Sequence, residues 1–169
     1  PVVALAVEKV SQQVMTTVNA IASAVEGAGG SKVDAFAAAM ETVVEVVKER
    51  SDSVKLDPTI SNATINFSDA TEMDAVTEKL SKKIAETGIA SSEDFDAVKA
   101  DLSTAVQNVN TAISQVTDLT SEASMAAFAV ATELNEQVKM ATEAKGDPTF
   151  KIAMTDAAEV SKATVEKSA

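Results

Sequence analysis

The sequence predicts an all-α protein, an elongated bundle of about six helices, and three observations favour this class. Apolar residues recur at steps of three and four along most of the chain, which is the spacing of one helix face. Ser, Thr or Asp stands before several of these runs, with an acidic residue three positions later, as at helix starts. Glycine or an Asp-Pro step follows several of them, as at helix ends.

The first two helices are predicted to form an antiparallel hairpin, because a short glycine-rich link at residues 27–30 joins them. The first covers residues 2–26. The second begins at Ser31, with Asp34 as its capping partner, and runs to about Arg50. The faces expected in the core are Val3, Val7, Val10, Val14, Val18, Ile21 and Val25 of the first helix and Phe36, Met40, Val43, Val44 and Val47 of the second.

Four more helices are predicted after an extended connection at residues 59–67. They cover residues 68–87, 91–116, 121–145 and 155–169, and the last is expected to continue past the end of this sequence. The residues expected to face the core are Met73, Val76, Leu80 and Ile84 in the third helix, Phe95, Val98, Leu102, Ala105, Val109, Ala112 and Val116 in the fourth, and Met125, Phe128, Ala131, Leu134, Val138 and Ala141 in the fifth.

An internal repeat is predicted from matching segments in the two halves of the chain. Residues 57–60 and 147–150 both read Asp-Pro-Thr followed by an apolar residue, and residues 65–73 resemble residues 152–160. Residues 35–37 and 127–129 both read Ala-Phe-Ala. The offsets run from 87 to 92, so the unit is roughly 88–90 residues long. Repeats of this kind usually build architecture, with each unit burying its apolar face against a neighbour. The two units are residues 1–88 and residues 89–169.

The composition excludes several classes of function. The chain has no Cys and no His, which removes thiolate and imidazole metal ligands and the common catalytic triads. A formal net charge of −12 with a single arginine argues against a nucleic-acid partner. No apolar run reaches the roughly 18 residues of a membrane span. We therefore expect a protein that is not an enzyme, carries no cofactor and has protein partners.

The apolar residues are mostly small, since Ala and Val supply 53 of 77. Helices faced with small side chains pack closely, near the short end of the usual 8–10 Å range. Ligand pockets, in contrast, are lined mainly by large and aromatic side chains. This composition favours a close-packed elongated bundle over a compact domain with a ligand pocket.

One cluster of oxygen-bearing side chains has two interpretations. Asp57, Asn62, Asn66 and Asp69 lie close in sequence, and calcium takes six to eight oxygen ligands. Alternatively, Asp57 begins a turn before proline, and Asp69 caps the third helix. We expect the turn and the cap, because the second unit lacks the two asparagines, and calcium remains the alternative.

The segments 127–139, 147–149 and 155–157 carry a resemblance to a known group of proteins. Ala/Val/Thr-rich acidic helices joined by Asp-Pro-Thr connections and Thr-Asp-Ala caps resemble helical segments of large secreted bacterial adhesins of the RTX and cadherin-like types, and of surface-layer-like proteins. The resemblance implies an extracellular or cell-surface spacer, stalk, filament or assembly module, whose partners are copies of itself or adjacent domains. The alternative is a cytosolic amphipathic-helix coat protein of the phasin type.

Overall fold

The computed structural model describes residues 2–57, 65–117, 122–145 and 147. Within these residues every regular element is an α-helix, which confirms the all-α class. The predicted sixth helix and most of the 59–67 connection lie outside them. The five helices are α1 (Val2–Gly27), α2 (Lys32–Leu56), α3 (Ala70–Thr87), α4 (Ser92–Gln115) and α5 (Glu122–Glu143).

Helices α1 to α4 form an up-down-up-down bundle, and α5 packs outside it against α1 and α4. The backbone N–H of Ser91 donates to the Ala28 carbonyl at one end of the α1–α4 pair, at 2.8 Å. Lys9 Nζ donates to the Ser114 carbonyl at the other end, so α1 and α4 are antiparallel. Lys139 pairs with Glu26 near the last turns of α5 and α1. Helix α5 therefore runs parallel to α1.

The described helices of the two predicted units share one core. Helix α1 belongs to unit 1–88, yet it contacts α4 and α5 of unit 89–169 as well as α2. The buried apolar residues of all five helices belong to one cluster. In the described part of the chain, helices from before and after residue 88 therefore pack around a single core. The tandem repeat of the sequence stays a prediction.

Three helix starts confirm the predicted caps. The side-chain oxygens of Ser31, Asp69 and Ser91 each accept a hydrogen bond from the backbone N–H three residues later, at 3.1 to 3.2 Å. The predicted end of α2 is wrong, because the helix continues past Arg50 to Leu56. No glycine or proline interrupts the six added residues, and the helix ends only before the Asp-Pro step.

The turn between α1 and α2 is closed by two backbone hydrogen bonds. The N–H of Gly29 donates to the Glu26 carbonyl at 3.0 Å, and that of Gly30 donates to the Val25 carbonyl at 2.9 Å. Gly29 has φ of 95°, a left-handed conformation that glycine adopts without steric cost. This Schellman-type ending explains why the predicted glycine stop is followed at once by an antiparallel helix.

The predicted core faces are confirmed most fully in α3 and α4. Helix α1 follows its prediction only in the C-terminal half, where Val18, Ile21 and Val25 are fully buried. The prediction is wrong for Val3, Val7 and Val10, which are exposed, because the contacts that bury α1 lie between Thr16 and Ala28. The predicted residues that are buried in α3 and α4 are Met73, Val76, Leu80, Ile84, Phe95, Val98, Leu102, Ala105 and Val109, and Val116 is buried directly after α4.

A polar cluster lies inside the core where α1, α4 and the start of α3 meet. The fully buried Asn110 donates from Nδ2 to Thr17 Oγ1 at 3.0 Å and to the Phe67 carbonyl at 3.1 Å. Gln13 Nε2 donates to the Asn110 carbonyl and to Ser68 Oγ. Since buried polar groups are costly unless they are hydrogen-bonded, this cluster favours one register of these three segments.

Replacing Gly27 with alanine is expected to lower the free energy of unfolding by about 1–3 kcal/mol. A Cβ at Gly27 would lie 2.6 Å from the Lys139 carbonyl oxygen and 2.8 Å from Thr142 Cβ. Helix α5 would have to move away from α1, and this cost exceeds the gain in helix propensity of about 1 kcal/mol. Urea unfolding measures the loss of stability, and amide hydrogen exchange measures the loss of protection in the displaced helix α5.

Gly88→Ala provides the control for this substitution. Gly88 has φ of 66°, and nothing lies within 4 Å of a Cβ added there. The alanine would therefore strain the backbone without clashing with a neighbouring residue. We expect the free energy of unfolding to fall by about 1–2 kcal/mol. The hydrogen-exchange protection of α5 relative to the other helices should stay unchanged. A Gly27→Ala variant as stable as the wild type would contradict the close approach of α5 to α1.

Candidate functional site

The predicted calcium ligands are partly engaged as helix and turn caps. Asn66 Oδ1 accepts a hydrogen bond from the Ser68 N–H at 3.0 Å, and Asp69 Oδ1 accepts one from the Glu72 N–H at 3.1 Å. Asp57 is the exposed residue that caps the end of α2. Asn62 lies outside the described residues. Among those described, no group of three or more acidic side chains is placed to hold a metal ion, and the calcium site stays a prediction.

An open cavity of about 510 Å³ lies between the end of α2 and the start of α3. The single arginine of the sequence, Arg50, lines it and donates from Nη2 to Glu72 Oε1. Asn66 and Asp69 also line it. The guanidinium is paired with the Glu72 carboxylate, and Glu49 and Asp69 also line the cavity, so the negative charge there disfavours an anionic ligand. We assign Arg50 the role of joining α2 to α3.

The α2–α3 interface is bordered by ion pairs. Lys83 Nζ lies 2.9 Å from a Glu41 oxygen and 3.1 Å from a Glu45 oxygen, and Lys79 pairs with Glu45 and Glu49. The hydrogen bond from Lys83 holds the pKa of Glu45 below its ordinary value. The hydrogen bond to Glu41 raises the pKa of Lys83, and that to Glu49 raises the pKa of Lys79. Two lysines of α3 therefore offset part of the charge of the three glutamates Glu41, Glu45 and Glu49 of α2.

Acidification is expected to weaken the α2–α3 contact. Since the pKa of Glu45 is lowered in the folded state, its stabilisation is present above about pH 4.3, the ordinary value for glutamate, and is lost as the pH falls through the folded-state pKa. Thermal unfolding between pH 6 and pH 3 measures this loss. Lys83→Gln should make the loss smaller, since Glu45 then lacks its main cation. An unchanged pH dependence in Lys83→Gln would contradict the assigned pairing.

The outer face of α2 carries a row of exposed apolar side chains, which we call the α2 stripe. Its members are 36–78% exposed, and they fall within an arc of about 80° on the helix, at about 100° per residue. The prediction that Phe36, Met40, Val44 and Val47 face the core is therefore wrong, whereas it holds for Val43. The α2 stripe consists of Val33, Phe36, Met40, Val44 and Val47.

The reason for this error is the opposite face of α2, which is also apolar. The residues buried against α1 and α3 are mainly small, and small side chains allow the helix axes to approach closely. The larger side chains of the α2 stripe are left on the outside. Single exposed apolar residues are ordinary, whereas contiguous exposed apolar patches are typical of interaction surfaces in proteins generally. The buried set is Ala35, Ala38, Ala39, Thr42, Val43 and Val46.

A second exposed apolar surface lies on the N-terminal half of α1. Val3, Val7 and Val10 are 58–77% exposed, and they recur at steps of four and three along one helix face. Met15 is exposed farther along the same helix. In the described part of the chain, no helix has both the length and the hydropathy needed to cross a membrane. The rows on α1 and α2 are therefore exposed apolar faces of helices that belong to the bundle.

Comparisons with protein-family models, with curated proteins and with solved structures find no match to this chain. Among the described helices, α2 carries the longest row of exposed large apolar side chains, the α2 stripe.

Proposed function

We propose that this chain is a non-enzymatic structural or assembly module of a secreted bacterial protein, located at the cell surface or outside the cell. The observation that carries the proposal is the α2 stripe, five apolar side chains exposed in one row on a helix whose other side is already packed. Such a row supports helix-to-helix assembly. Its partners are copies of the chain or adjacent domains of the same protein.

The chemistry of the sequence supports a mechanical role over catalysis. Without Cys and His, the chain lacks the thiolate nucleophile and the commonest general base near neutral pH, the base that activates Ser in the common triads. The carboxylates and lysines between α2 and α3 are used in pairing the two helices. We also propose that the two sequence units contribute three helices each, with the sixth at residues 155–169. Backbone NMR shifts of those residues would test this, since random-coil values would contradict it.

The cellular location tests the main proposal. We expect an antibody against the chain to detect it in the surface or extracellular fraction of the producing bacterium, and the complete gene to encode an export signal and further helical units. A cytosolic protein encoded by a short gene without an export signal would overturn the proposal.

A coat protein of the phasin type is the second candidate, favoured by the same exposed apolar rows on α1 and α2. An amphipathic helix binds an apolar polymer surface through such a face. Co-sedimentation with purified polyester granules separates the candidates. We expect no saturable binding for an assembly module, whereas binding that Val44→Glu abolishes would favour the coat.

A further inference from the structure

The α2 stripe is symmetric about its central residue. Met40 lies in the middle, Phe36 and Val44 stand four residues to either side, and Val33 and Val47 stand seven residues to either side. Reversing the direction of the helix therefore places an apolar side chain onto each apolar position. A two-fold symmetric interface between two helices brings the same face of two copies together in opposite directions, so that face must match its own reverse. The α2 stripe meets this requirement.

We infer that the α2 stripe binds the α2 stripe of a second copy of this chain, antiparallel, with the two-fold axis at Met40. This inference rests on the proposed assembly function and names its partner. The pairing puts Val33 opposite Val47 of the second copy and Phe36 opposite Val44, with the two Met40 side chains in contact. The stripe spans 14 helical steps, so the paired length is about 21 Å.

The charges beside the stripe suit the same pairing. Lys48 is exposed and forms no ion pair with the other residues that the structure describes. Asp34, whose Oδ2 accepts a hydrogen bond from Ser31 Oγ, lies on the same side of α2 but farther round the helix from Met40. Antiparallel pairing about Met40 brings it to within about 3 Å of Lys48 of the second copy along the helix axis. The symmetric arrangement places this acidic and this basic residue at matching heights twice. Complementary charges of this kind favour one register and orientation.

The acidic residues near the axis do not oppose the pairing. Glu41 comes close to its own copy across the two-fold axis, and two unpaired carboxylates there would repel each other. Each Glu41 instead lies 2.9 Å from Lys83 Nζ within its own bundle, and Glu45 shares the same lysine. The α3 lysines thus reduce the repulsion that a chain of net charge −12 would otherwise bring to a self-interface.

Single cysteines provide a sharp test, because the chain contains no cysteine. Met40→Cys is expected to form a disulfide-linked dimer under mild oxidation, since each residue 40 meets its own copy at the axis. Val33→Cys and Val47→Cys serve as matched controls. Each alone should cross-link at least ten-fold less, because its two copies lie about 21 Å apart, whereas a mixture of the two should cross-link to each other.

Other cross-linking patterns would overturn the inference. Strong self-linking of Val33→Cys would show parallel pairing. A Met40→Cys protein that stays monomeric, with its thiol protected from maleimide, would show that another segment of the same chain covers the stripe. A monomer with a freely reactive thiol would show that the stripe is unpaired. Circular dichroism of each variant checks that the bundle is still folded.

Sedimentation equilibrium of the unmodified chain gives an independent measure. We expect the mass to rise from one chain to two with concentration, and Met40→Glu to abolish the rise. Leu56→Glu is the control, since Leu56 is 87% exposed on the same helix outside the stripe. A wild-type monomer at every concentration would overturn this inference and leave the surface location standing. A dimer in a cytosolic protein would overturn the proposed function alone.

Discussion

Replacing Phe95 with alanine is expected to lower the free energy of unfolding by about 3–5 kcal/mol. Phe95 lies in the first turns of α4 and is fully buried, and it is the largest fully buried side chain among the described residues, whose core is made mainly of Ala and Val. A close-packed helical core relaxes only partly into the space that a deleted ring leaves. Because domains of this size are stable by only about 5–15 kcal/mol, urea unfolding followed by circular dichroism should show a large shift.

Phe36→Ala is the matched control, since it removes the same atoms from the α2 stripe. Phe36 is 41% exposed, so we expect its loss to cost less than about 1 kcal/mol of folding stability. Equal destabilisation by the two substitutions would contradict the assignment of Phe95 to the core and Phe36 to the outer face.

The second large effect is expected from Asn110→Leu, with a loss of about 2–3 kcal/mol. Leucine fills a similar volume, but it removes the donor that serves the Phe67 carbonyl and Thr17 Oγ1. The carbonyl would then be buried without this donor where α3 begins. Thermal unfolding measures the loss, and hydrogen exchange should show that the start of α3 opens first.

A double-mutant cycle isolates the contact between Asn110 and Thr17. Thr17→Val removes the acceptor while keeping the shape, and Thr17 is itself bonded to the Gln13 carbonyl at 2.8 Å. We expect the two substitutions together to cost less than the sum of the single losses, by about 0.5–1 kcal/mol. Full additivity, or a more stable Asn110→Leu protein, would show that the amide is dispensable to the core.

Helices α3 and α4 were predictable because each has one apolar face and one polar face. Leu80 and Ile84, like Leu102 and Val109, recur on the only face that can be buried. Helix α2 has two apolar faces, and hydropathy favours the larger side chains. The structure buries the alanine face because close packing against α1 and α3 depends on size as well as hydropathy.

The helix caps and the ion pairs between helices also differ in how far they can be predicted from the sequence. The caps at Asp69 and Ser91 depend on residues three positions apart, so local sequence is enough to predict them. The pairing of Lys83 with Glu41 joins residues 42 positions apart, and it follows only from the order of helices around the bundle. The packing of α5 on Gly27 is equally remote, since sequence alone indicates only that glycine ends α1.

The parallel course of α1 and α5 has a mechanical consequence. Val2 begins α1 at one end of the bundle, and Glu143 ends α5 at the other end, beside the close contact at Gly27. A pulling force applied through these two residues would make the two helices slide along each other. Sliding loads many side-chain contacts at once, whereas peeling loads them one turn at a time. A tethered module with this arrangement would resist extension more strongly than an antiparallel hairpin pulled apart from its open end.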